Sequence, residues 1–371
     1  MPLQMSKQPP RVTKVYVIGE GLVTPLGDSP QGVLKAVRAG KSAIREYPGW
    51  PGPYMASLLE RSGHEAPSFF DHIALQAGRR ALEAAGTDPA APRMGLVLST
   101  IKGNVEAIES EDVSLSVQAG RLAAGLGIVT PPVVVSNACI SGLAALVQGM
   151  RMIRRGAYDK VLVVGAEVQS RFIVSGFQSL KALSPSLCRP FDAARDGLNL
   201  GEAAAAVVLS KTPAEGSWEL VEGCIRNDAN HISGPSRTGE GSYKALRAVL
   251  NHCTPEELAF VNVHGTATRY NDEMEAIALT RAGLQDVPVN ALKGCFGHTM
   301  GAAGVLETIV SMHACEEGVV LPTKGFRELG VSCPVQVCEK ERSTQKCAFI
   351  KLLSGFGGIN GALLVRKGGG R

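Results

Sequence analysis

The sequence predicts an α/β protein built from two similar halves. Short apolar runs rich in β-branched residues alternate along the chain with segments whose apolar residues recur at helical spacing. The 43 glycines and the low aromatic content of 5% suit a protein with many tight turns between strands and helices. A chain of 371 residues exceeds what one core usually supports, and the strand–helix pattern restarts near Trp218. We therefore expect an N-terminal half over residues 12–215 and a C-terminal half over residues 216–367.

In the first half, the helix with the clearest pattern is predicted over Phe69–Gly86. Its residues Phe70, Ile73 and Ala77 share one helical face, and its last residue is a glycine, which suits a helix end. A second helix is predicted over Leu143–Arg154. The predicted strands of this half are apolar runs over Val12–Gly19, Met94–Ser99, Val133–Ser136, Lys160–Ala166 and Ala203–Ser210.

The second half repeats this alternation of strands and helices. Its predicted strands cover Glu219–Arg226, Phe260–Val263, Val287–Leu292, Val335–Val337, Cys347–Leu353 and Ala362–Val365. Its predicted helices cover Tyr243–His252, Asp272–Ala282 and Gly301–Cys315. Strands separated by helices imply parallel or mixed sheets that are covered by helices on both faces.

Charge and cysteine content exclude several classes of function. The net charge of +4, from 38 basic and 34 acidic residues, is too balanced to indicate nucleic-acid binding. The nine cysteines lack CxxC pairs, which favours reduced cytosolic thiols over a zinc cluster. No apolar stretch approaches the roughly 20 residues that cross a bilayer, and residues 1–11 lack the apolar core of a secretion signal. We therefore expect a cytoplasmic protein without a membrane span or metal, with residues 1–11 as a flexible lead.

Cys139 is the first candidate catalytic residue. It follows a β-branched run and lies in a turn of small residues, just before the helix predicted over Leu143–Arg154. Unpaired N–H groups and the helix dipole stabilise a thiolate at such a helix N-terminus. The turn alone does not distinguish a nucleophile from a small buried hydrophobic residue.

Two histidines of the second half lie at the end of a strand and in a turn. His264 follows the short apolar run from Phe260, and side chains at such strand ends emerge into a crevice. His298 lies in a turn before a predicted helix, five residues after Lys293 and nine before Glu307. Each histidine alone is more often structural, so the signal is their combination. Lys293 and Glu307 are either a supporting ion pair or solvated charges worth at most about 1 kcal/mol.

Five motifs in sequence order resemble those of the β-ketoacyl-acyl-carrier-protein synthases, specifically the elongating Cys-His-His type of the thiolase superfamily. That family shows a small-residue cysteine turn, Arg-Pro-Phe-Asp with Arg-Asp-Gly, His-Gly-Thr-Gly-Thr, Lys with Gly-His, and Gly-Phe-Gly-Gly-Thr-Asn. The resemblance extends from Gly19 to Val365. The matching segments here are the turn of Cys139, Arg189–Asp192 with Arg195–Gly197, His264–Thr268, Lys293 with Gly297–His298, and Gly355–Asn360.

The resemblance implies a thiolase-like layered αβαβα fold and the activity of a β-ketoacyl synthase. The reaction would be a decarboxylative Claisen condensation of an acyl-enzyme thioester with malonyl-acyl carrier protein. It would serve fatty-acid biosynthesis or type II polyketide biosynthesis, including aryl-polyene-like products. The enzyme would be an acyltransferase, a 3-oxoacyl-[acyl-carrier-protein] synthase.

Residue roles follow from the same resemblance. Cys139 would accept the acyl chain as a thioester. The backbone N–H groups of Cys139 and Phe356 would form the oxyanion hole, and the Phe356 ring would gate the acyl pocket. His264 and His298 would hold the malonyl thioester carbonyl and stabilise the enolate that forms as CO2 leaves.

Supporting residues and partners are implied as well. Lys293 would orient the histidine region through an ion pair with Glu307. Thr266, Thr268 and Ser233 match positions that line the tunnel of the phosphopantetheine arm, whose amides suit hydroxyl partners. The expected partner is an acyl carrier protein, and no separate cofactor is expected. A homodimer is implied, with a heterodimer containing a chain-length-factor-like subunit as the alternative.

Departures from the family pattern keep the substrate and two other classes open. Ala267 stands where the family has glycine, and Leu352–Ser354 replaces Asn-Ser-Phe, so we expect the wall of the acyl pocket to differ. One alternative is a non-catalytic chain-length-factor-like subunit, although such subunits usually lack the cysteine. Another is a thiolase acting on coenzyme A thioesters, with Cys295 as a second cysteine, or a starter synthase with asparagine as its third catalytic residue. His298 argues against both.

Overall fold

The first half of the chain contains the elements that position Cys139. The computed structural model describes residues 12–49, 52–61, 68–110 and 112–368, so the lead predicted over residues 1–11 lies outside the described residues. The strands of this half are β1 (Tyr16–Val23), β2 (Arg45–Tyr47), β3 (Tyr54–Ser57), β4 (Met94–Ser99), β5 (Val133–Val135), β6 (Lys160–Glu167), β7 (Leu200–Gly201) and β8 (Ala203–Ser210). Its helices are α1 (Pro30–Arg38), α2 (Phe69–Ala84), α3 (Leu115–Leu126), α4 (Ser141–Arg154) and α5 (Arg171–Ser179).

The second half contains the elements that position the two histidines. Its strands are β9 (Trp218–Asn227), β10 (Phe260–Asn262), β11 (Pro288–Asn290), β12 (Val319–Val320), β13 (Gln336–Val337), β14 (Arg342–Ser343), β15 (Ala348–Gly355) and β16 (Ile359–Lys367). Its helices are α6 (Glu240–Val249), α7 (Arg269–Arg281), α8 (Lys293–Phe296) and α9 (Ala303–Glu316).

The same strand order occurs in both halves. It is β5-β4-β6-β8-β1 in the first half and β11-β10-β15-β16-β9 in the second. In each half the first three strands of this order are parallel, and the last two continue the sheet in antiparallel pairing. The halves join into one sheet where Tyr16 and Val17 pair with Glu219 and Trp218. This confirms the prediction of two similar halves with mixed sheets, and residue 215 lies in the connection between β8 and β9.

Helices cover both faces of each half-sheet and produce the predicted αβαβα layers. In the first half, α2 packs on β1, β6 and β8 and against α3. In the second half, α6 packs on β9, β15 and β16 and against α7. Helices α4 and α9 pack against each other between the halves. One apolar cluster surrounds the central helices α4 and α9, and one fills the space under the outer helices of each half. Strands β4 and β8 are therefore buried along their whole length.

The close approach of α4 and α9 depends on glycine at their crossing. A Cβ on Gly142 would lie 2.8 Å from the backbone nitrogen of Gly304, and a Cβ on Gly304 would collide with the backbone of Leu143. Both glycines are the second residue of their helix. The N-terminal ends of the two helices, one from each half, therefore lie side by side, just after Cys139 and His298 in sequence.

Most predicted elements are present with small shifts at their ends. The strands over Met94–Ser99 and Ala203–Ser210 have the predicted bounds. The largest shift is in β1, predicted from Val12 to Gly19, which runs from Tyr16 to Val23 because its pairing with β8 continues that far. Helices α1, α3 and α5 were not predicted. In the part of the chain that the structure describes, no helix combines the length and apolar character needed to cross a bilayer.

Candidate active site

Cys139 lies in a tight turn between β5 and α4. The preceding residue, Ala138, has a φ of 45°, a left-handed conformation that costs free energy in a residue with a Cβ. The Ser141 hydroxyl holds this turn, because it donates to the Ala138 carbonyl at 2.6 Å and accepts from the N–H of Asn137 at 2.7 Å. The turn presents Cys139, which is only 6% exposed, to the bottom of a cavity.

Burial controls the protonation of Cys139. It raises the pKa of the thiol to about 11, whereas the positive charge of Lys293 and a hydrogen bond from the Phe356 N–H act to lower it. The free protein therefore carries a thiol at neutral pH. Burial thus opposes the thiolate that the sequence predicts at the helix N-terminus. A nucleophilic role requires the proton to leave after a substrate has bound.

The glycine-rich turn between β15 and β16 packs directly on the cysteine turn. A Cβ on Gly355 would lie 3.1 Å from the backbone nitrogen of Cys139, so glycine allows this approach. The backbone N–H groups of Cys139 and Phe356 both lower the pKa of the Cys139 thiol, as donors close to its sulfur do. The pair predicted for an oxyanion hole therefore lies together. The Phe356 ring is 38% exposed and stacks on Phe177, with 5.9 Å between ring centroids.

His264 is held by a buried carboxylate at the end of β10. Glu275 of α7 accepts the backbone N–H groups of His264 and Gly265, both at 2.7 Å. Burial and the neighbouring Asp272 raise the pKa of Glu275 to about 7. The carboxylate thus fixes the two residues that follow β10 and orients the imidazole toward the cavity.

His298 is fully buried, and its backbone contacts select one ring tautomer. Its N–H donates to the carbonyl of Asn199 at 2.6 Å, and the N–H of Met300 donates to its Nδ1 at 3.3 Å. Because Nδ1 accepts a hydrogen bond, the neutral ring carries its proton on Nε2. Within the described ranges, Nε2 has no protein partner, so this N–H is available to a substrate oxygen.

The sulfur and the two imidazoles come together at one point. The Sγ of Cys139 and a ring nitrogen from each of His264 and His298 all lie within 4.8 Å of one another. The two rings meet edge to face, at 81° with 5.1 Å between centroids. Burial, followed by the charges of Lys293 and Lys351, holds the pKa of both histidines well below its usual value. Both rings are therefore neutral at pH 7.

The side chains of this group are also of the types that bind metal ions. A thiol and imidazoles are groups that Zn²⁺ accepts. Two neutral imidazoles that line one cavity equally suit hydrogen bonding to a carbonyl or enolate. That the protein needs neither metal nor cofactor stays a prediction.

Behind the histidines, Glu307 binds two buried lysines. Its two oxygens lie 2.9 Å from the Nζ of Lys293 and 2.5 Å from the Nζ of Lys351. The predicted ion pair of Lys293 and Glu307 is therefore present, and the alternative of solvated charges is wrong because all three side chains are at most 2% exposed. Burial raises the pKa of Glu307, but the two lysines outweigh burial and hold it below its usual value.

A cavity of about 560 Å³ leads from the surface to this group. Thr266 and Thr268 line it, with their hydroxyl oxygens 2.9 Å apart, and so does Ser233. All three residues predicted to contact a phosphopantetheine arm thus line the cavity. Phe356 lines it near the sulfur, whereas Lys293 and Glu307 lie behind its wall.

The segment Leu352–Ser354 alters this wall less than the sequence suggests. Leu352 and Leu353 are fully buried in the sheet, and only Ser354 reaches the cavity. The Ser354 hydroxyl donates to the side-chain carbonyl of Asn360 at 2.8 Å and lies 3.2 Å from the hydroxyl of Ser242. The wall at this point is therefore polar and small.

Three buried charged residues of the site were not predicted. Glu275 and Glu167 act through backbone N–H groups, and Glu167 accepts those of Ile101 at 2.9 Å and Gly301 at 3.0 Å. Such partners are distant in sequence, and the sequence carries no signal for them. Lys351 did leave a signal, since it is a lysine inside an apolar strand segment, a position where charge is expensive unless paired.

Comparison with known families matches both halves. The model described as "Beta-ketoacyl synthase, N-terminal domain" covers residues 56–214, and "Beta-ketoacyl synthase, C-terminal domain" covers residues 219–327. Together they span most of the chain and include Cys139, His264 and His298.

Individual relatives match over nearly their whole length. The chain is 29% identical to 3-oxoacyl-[acyl-carrier-protein] synthase 2 of Vibrio cholerae, over 95% of this chain and 99% of the relative. It is 28% identical to the ketoacyl synthase alpha subunit of the tetracenomycin polyketide synthase of Streptomyces glaucescens, over 95% of this chain and 97% of the relative. Among solved structures, it is similar to a ketosynthase (ApeO) in complex with its chain length factor (ApeC) from Xenorhabdus doucetiae. The TM-score there is 0.88 at 25% identity, covering 97% of this chain and 100% of the other.

Proposed function

Since the chain belongs to the β-ketoacyl synthase family, we propose that it condenses an enzyme-bound acyl group with a malonyl group on acyl carrier protein. It is an acyltransferase of the 3-oxoacyl-[acyl-carrier-protein] synthase type. The observation that carries this proposal is the meeting of the Cys139 sulfur with two neutral imidazoles, all within 4.8 Å, at the bottom of a cavity. A nucleophile supplies the acyl-enzyme, and two N–H donors supply the stabilisation that a developing enolate needs.

In the first step, the Cys139 sulfur attacks the thioester carbonyl of the acyl carrier protein. The bond from sulfur to the acyl carbon forms, and the bond to the pantetheine sulfur breaks. The N–H groups of Cys139 and Phe356 stabilise the oxyanion of the tetrahedral intermediate. The thiol proton passes to the leaving pantetheine sulfur. We assign the transfer of this proton to the neutral His264, because the Nδ1 atom of His298 already accepts a hydrogen bond from the Met300 N–H.

In the second step, His264 and His298 hold the thioester carbonyl of the malonyl unit. Their N–H groups stabilise the enolate oxygen as the carbon–carbon bond to CO2 breaks. The enolate carbon then attacks the acyl-Cys139 thioester. The new carbon–carbon bond forms, the Cys139 sulfur leaves, and a proton from solvent restores the thiol.

The carrier protein and the pantetheine arm account for the hydroxyl groups that line the cavity. We assign the arm to the channel lined by Thr266, Thr268 and Ser233, whose hydroxyls can bind its amides. Lys293 and Glu307 orient the histidine segments from behind. The substrates arrive covalently attached to the carrier protein, so the reaction as written needs no separate cofactor.

We infer that β5 joins two subunits into a homodimer. In the described part of the chain, β5 lies at the edge of the sheet, its three valines are only half-buried, and it leads directly to the turn of Cys139. An exposed apolar edge strand is a ready surface for strand pairing. A chain-length-factor-like partner on the same edge is the other arrangement, and analytical ultracentrifugation of the purified chain distinguishes them. The nine free cysteines fit the proposed cytoplasmic location.

The test of the proposed function is the Cys139→Ala variant. Condensation is expected to fall at least about 10³-fold, because the acyl-enzyme cannot form. Decarboxylation of malonyl-acyl carrier protein is expected to persist or increase, because it depends on the histidines. Cys295→Ala, which removes a buried thiol outside the cavity, is the matched control and should keep both activities. Loss of decarboxylation in a folded Cys139→Ala protein would contradict the division of roles.

The choice between fatty-acid and polyketide elongation is tested by the acyl donor. Matched acyl carrier proteins bearing saturated, polyene or aryl acyl groups are offered, and Cys139 acylation is followed by intact-protein mass spectrometry. Preference for saturated chains would indicate fatty-acid synthesis, and preference for polyene or aryl chains would indicate a type II polyketide pathway. Absence of any acyl adduct on Cys139 would instead favour the non-catalytic partner role.

A further inference from the structure

We propose that Lys351 is a second positioning lysine of the site, which anchors the segment of His264 and leaves a net positive charge behind both imidazoles. This inference rests on the proposed function and extends it, because the motifs of the family supply only Lys293 and Glu307. Lys351 lies at the centre of β15 and is fully buried. Its contacts with the segment before His264 and with Glu307 carry the proposal.

Lys351 connects the strand end of His264 to Glu307. It lies beside Asn262, the last residue of β10, in the register of the sheet. Its Nζ donates to the carbonyl of Val263 at 3.2 Å and, more weakly, to that of Asn262 at 3.5 Å. The same Nζ lies 2.5 Å from Glu307. A shift of the Lys351 ammonium group would therefore move the residue that directly precedes His264.

Glu307 receives the matching contact from the segment of His298. Lys293, which binds the other oxygen of Glu307, begins α8 and lies five residues before His298. One carboxylate thus ties together two lysines, of which Lys293 lies on the segment of His298 and Lys351 binds the segment of His264 through the Val263 carbonyl. The arrangement fixes the spacing of the imidazoles through side chains that do not themselves reach the cavity.

The charges of this triad do not cancel. Two lysines and one glutamate leave one net positive charge. Burying a charge without a partner costs free energy. The other titratable groups that face the triad and the imidazoles are Glu275 of α7 and the thiols of Cys139, Cys188 and Cys295. Burial lowers the pKa of Lys351 to about 8, so it is charged at neutral pH. This charge disfavours protonation of both rings and favours the negative charge of an enolate.

The test compares Lys351→Met, which removes both the charge and the hydrogen bonds, with Lys351→Gln, which keeps a donor for the Val263 carbonyl. Malonyl-acyl carrier protein decarboxylation is measured from pH 5 to 9 for both variants. Lys160→Met is the matched control, since Lys160 begins β6, the strand equivalent to β15 in the other half, and binds Thr87 away from the cavity. Alkylation of Cys139 by iodoacetamide reports whether the cavity is intact.

In both variants, kcat for decarboxylation is expected to fall about 10-fold with KM nearly unchanged, because the lost charge acts on the enolate. The pH below which activity is lost is expected to rise by about one unit, because the rings protonate more readily without the neighbouring charge. Cys139 alkylation should stay within about two-fold of the wild-type rate, since the charge of Lys351 acts on both imidazoles, whereas the cation that acts on the sulfur is Lys293. Lys160→Met should match the wild type in all three measurements.

Two results would overturn the proposal. An unchanged kcat and acid limb in folded Lys351→Gln would show that the charge does not act on the imidazoles. Failure of Lys351→Gln to fold, although it keeps the donor to Val263, would show that Lys351 is only structural. If the wild-type protein neither acylates Cys139 nor decarboxylates the malonyl substrate, the proposed function fails, independently of either variant.

Discussion

The two halves of the molecule share a strand order but place different chemistry at equivalent positions. The central helix of each half, α4 or α9, begins beside the other at the crossing of Gly142 and Gly304. A thiol precedes α4, and an imidazole precedes α9. The repeated strand order thus brings two helix N-termini together, with a thiol before one and an imidazole before the other.

The halves also differ in the charges that support these groups. At the end of β6, Glu167 is a single buried acid, whose burial raises its pKa to about 7. At the equivalent strand of the second half, Lys351 joins Lys293 and Glu307 in a triad with excess positive charge. In the half that carries the sulfur, the buried acid Glu167 therefore accepts hydrogen bonds from backbone, whereas in the other half the buried acid Glu307 pairs with two lysines. The predicted effects below follow this difference.

The largest difference should appear when the imidazoles are removed one at a time. His264→Ala and His298→Ala are each expected to reduce malonyl decarboxylation about 10²- to 10⁴-fold, because an N–H donor to the enolate is lost. Alkylation of Cys139 by iodoacetamide should change far less, since the sulfur belongs to the other half. Stopped-flow measurement of CO2 release and mass spectrometry of the alkylated protein give the two rates.

The test depends on whether the rates of decarboxylation and of Cys139 alkylation fall by different factors. If both histidine variants lost decarboxylation and Cys139 alkylation to the same extent, the sulfur and the imidazoles would act as one unit, and the division between the halves would be wrong. His252→Ala, at an exposed position outside the cavity lining, serves as the control for removing an imidazole.

A smaller effect is expected at the helix crossing. Gly304→Ala should destabilise the protein by about 1 to 3 kcal/mol, because the new methyl group meets the backbone of α4 and forces the helices apart. Gly176→Ala in α5 is the matched control, since nothing lies within 4 Å of its added Cβ. There alanine is expected to stabilise the helix by up to about 1 kcal/mol. Urea unfolding measures the free energy of unfolding of both variants. Equal stability of the two variants would show that the helix crossing does not require glycine.

The smallest expected effect is a pH-dependent contact between the halves. His313 of α9 lies 2.6 Å from Glu20 of β1 and 3.3 Å from Glu316. Burial lowers the pKa of His313, but hydrogen bonds with Glu20 and Glu316 outweigh it and raise the pKa to about 9. The pKa of a histidine in an unfolded chain is about 6.5. The contact therefore stabilises the fold fully below about pH 6.5, and this contribution is lost as the pH rises through about 9.

Thermal unfolding of the wild type and His313→Gln at several pH values measures this contribution. We expect the wild type to be more stable by about 1 kcal/mol at pH 6, after allowing for partial exposure of the pair, and the difference to disappear near pH 9.5. A difference that is the same at both pH values would mean that packing, and not the charged imidazole, joins α9 to β1.

The part of the structure that the sequence predicted correctly is different for the fold and for the site. Strands such as Met94–Ser99 and Ala203–Ser210 were predicted with their observed bounds because both faces are buried, which leaves a continuous apolar run. Helix α5 was not predicted, because only two of its nine residues are buried and its pattern is correspondingly weak. Cys139 and His298, which the sequence motifs single out, do meet at the cavity.

What could not be predicted depends on contacts between distant segments. Glu167 and Gly301 are separated by more than a hundred residues, and only the folded chain brings the carboxylate to that N–H. For the same reason, the sequence predicts a thiolate at Cys139 where the structure favours a thiol. The sequence shows the helix N-terminus but not the burial that raises the pKa of Cys139. Local sequence thus predicts where a group lies, and the tertiary surroundings decide its charge.

The junction between the half-sheets is narrow in the described residues, with Val15, Tyr16 and Val17 meeting the segment Trp218–Leu220, and this has a consequence for dissecting the molecule. Hydrogen bonds across the sheet contribute little to holding the halves together there, and the glycine crossing of α4 and α9 contributes the main contact. A backbone nick in the connection between β8 and β9 should accordingly leave an active, non-covalently assembled pair of fragments. Either fragment expressed alone would hold a nucleophile without its donors, or donors without a nucleophile, and would be inert.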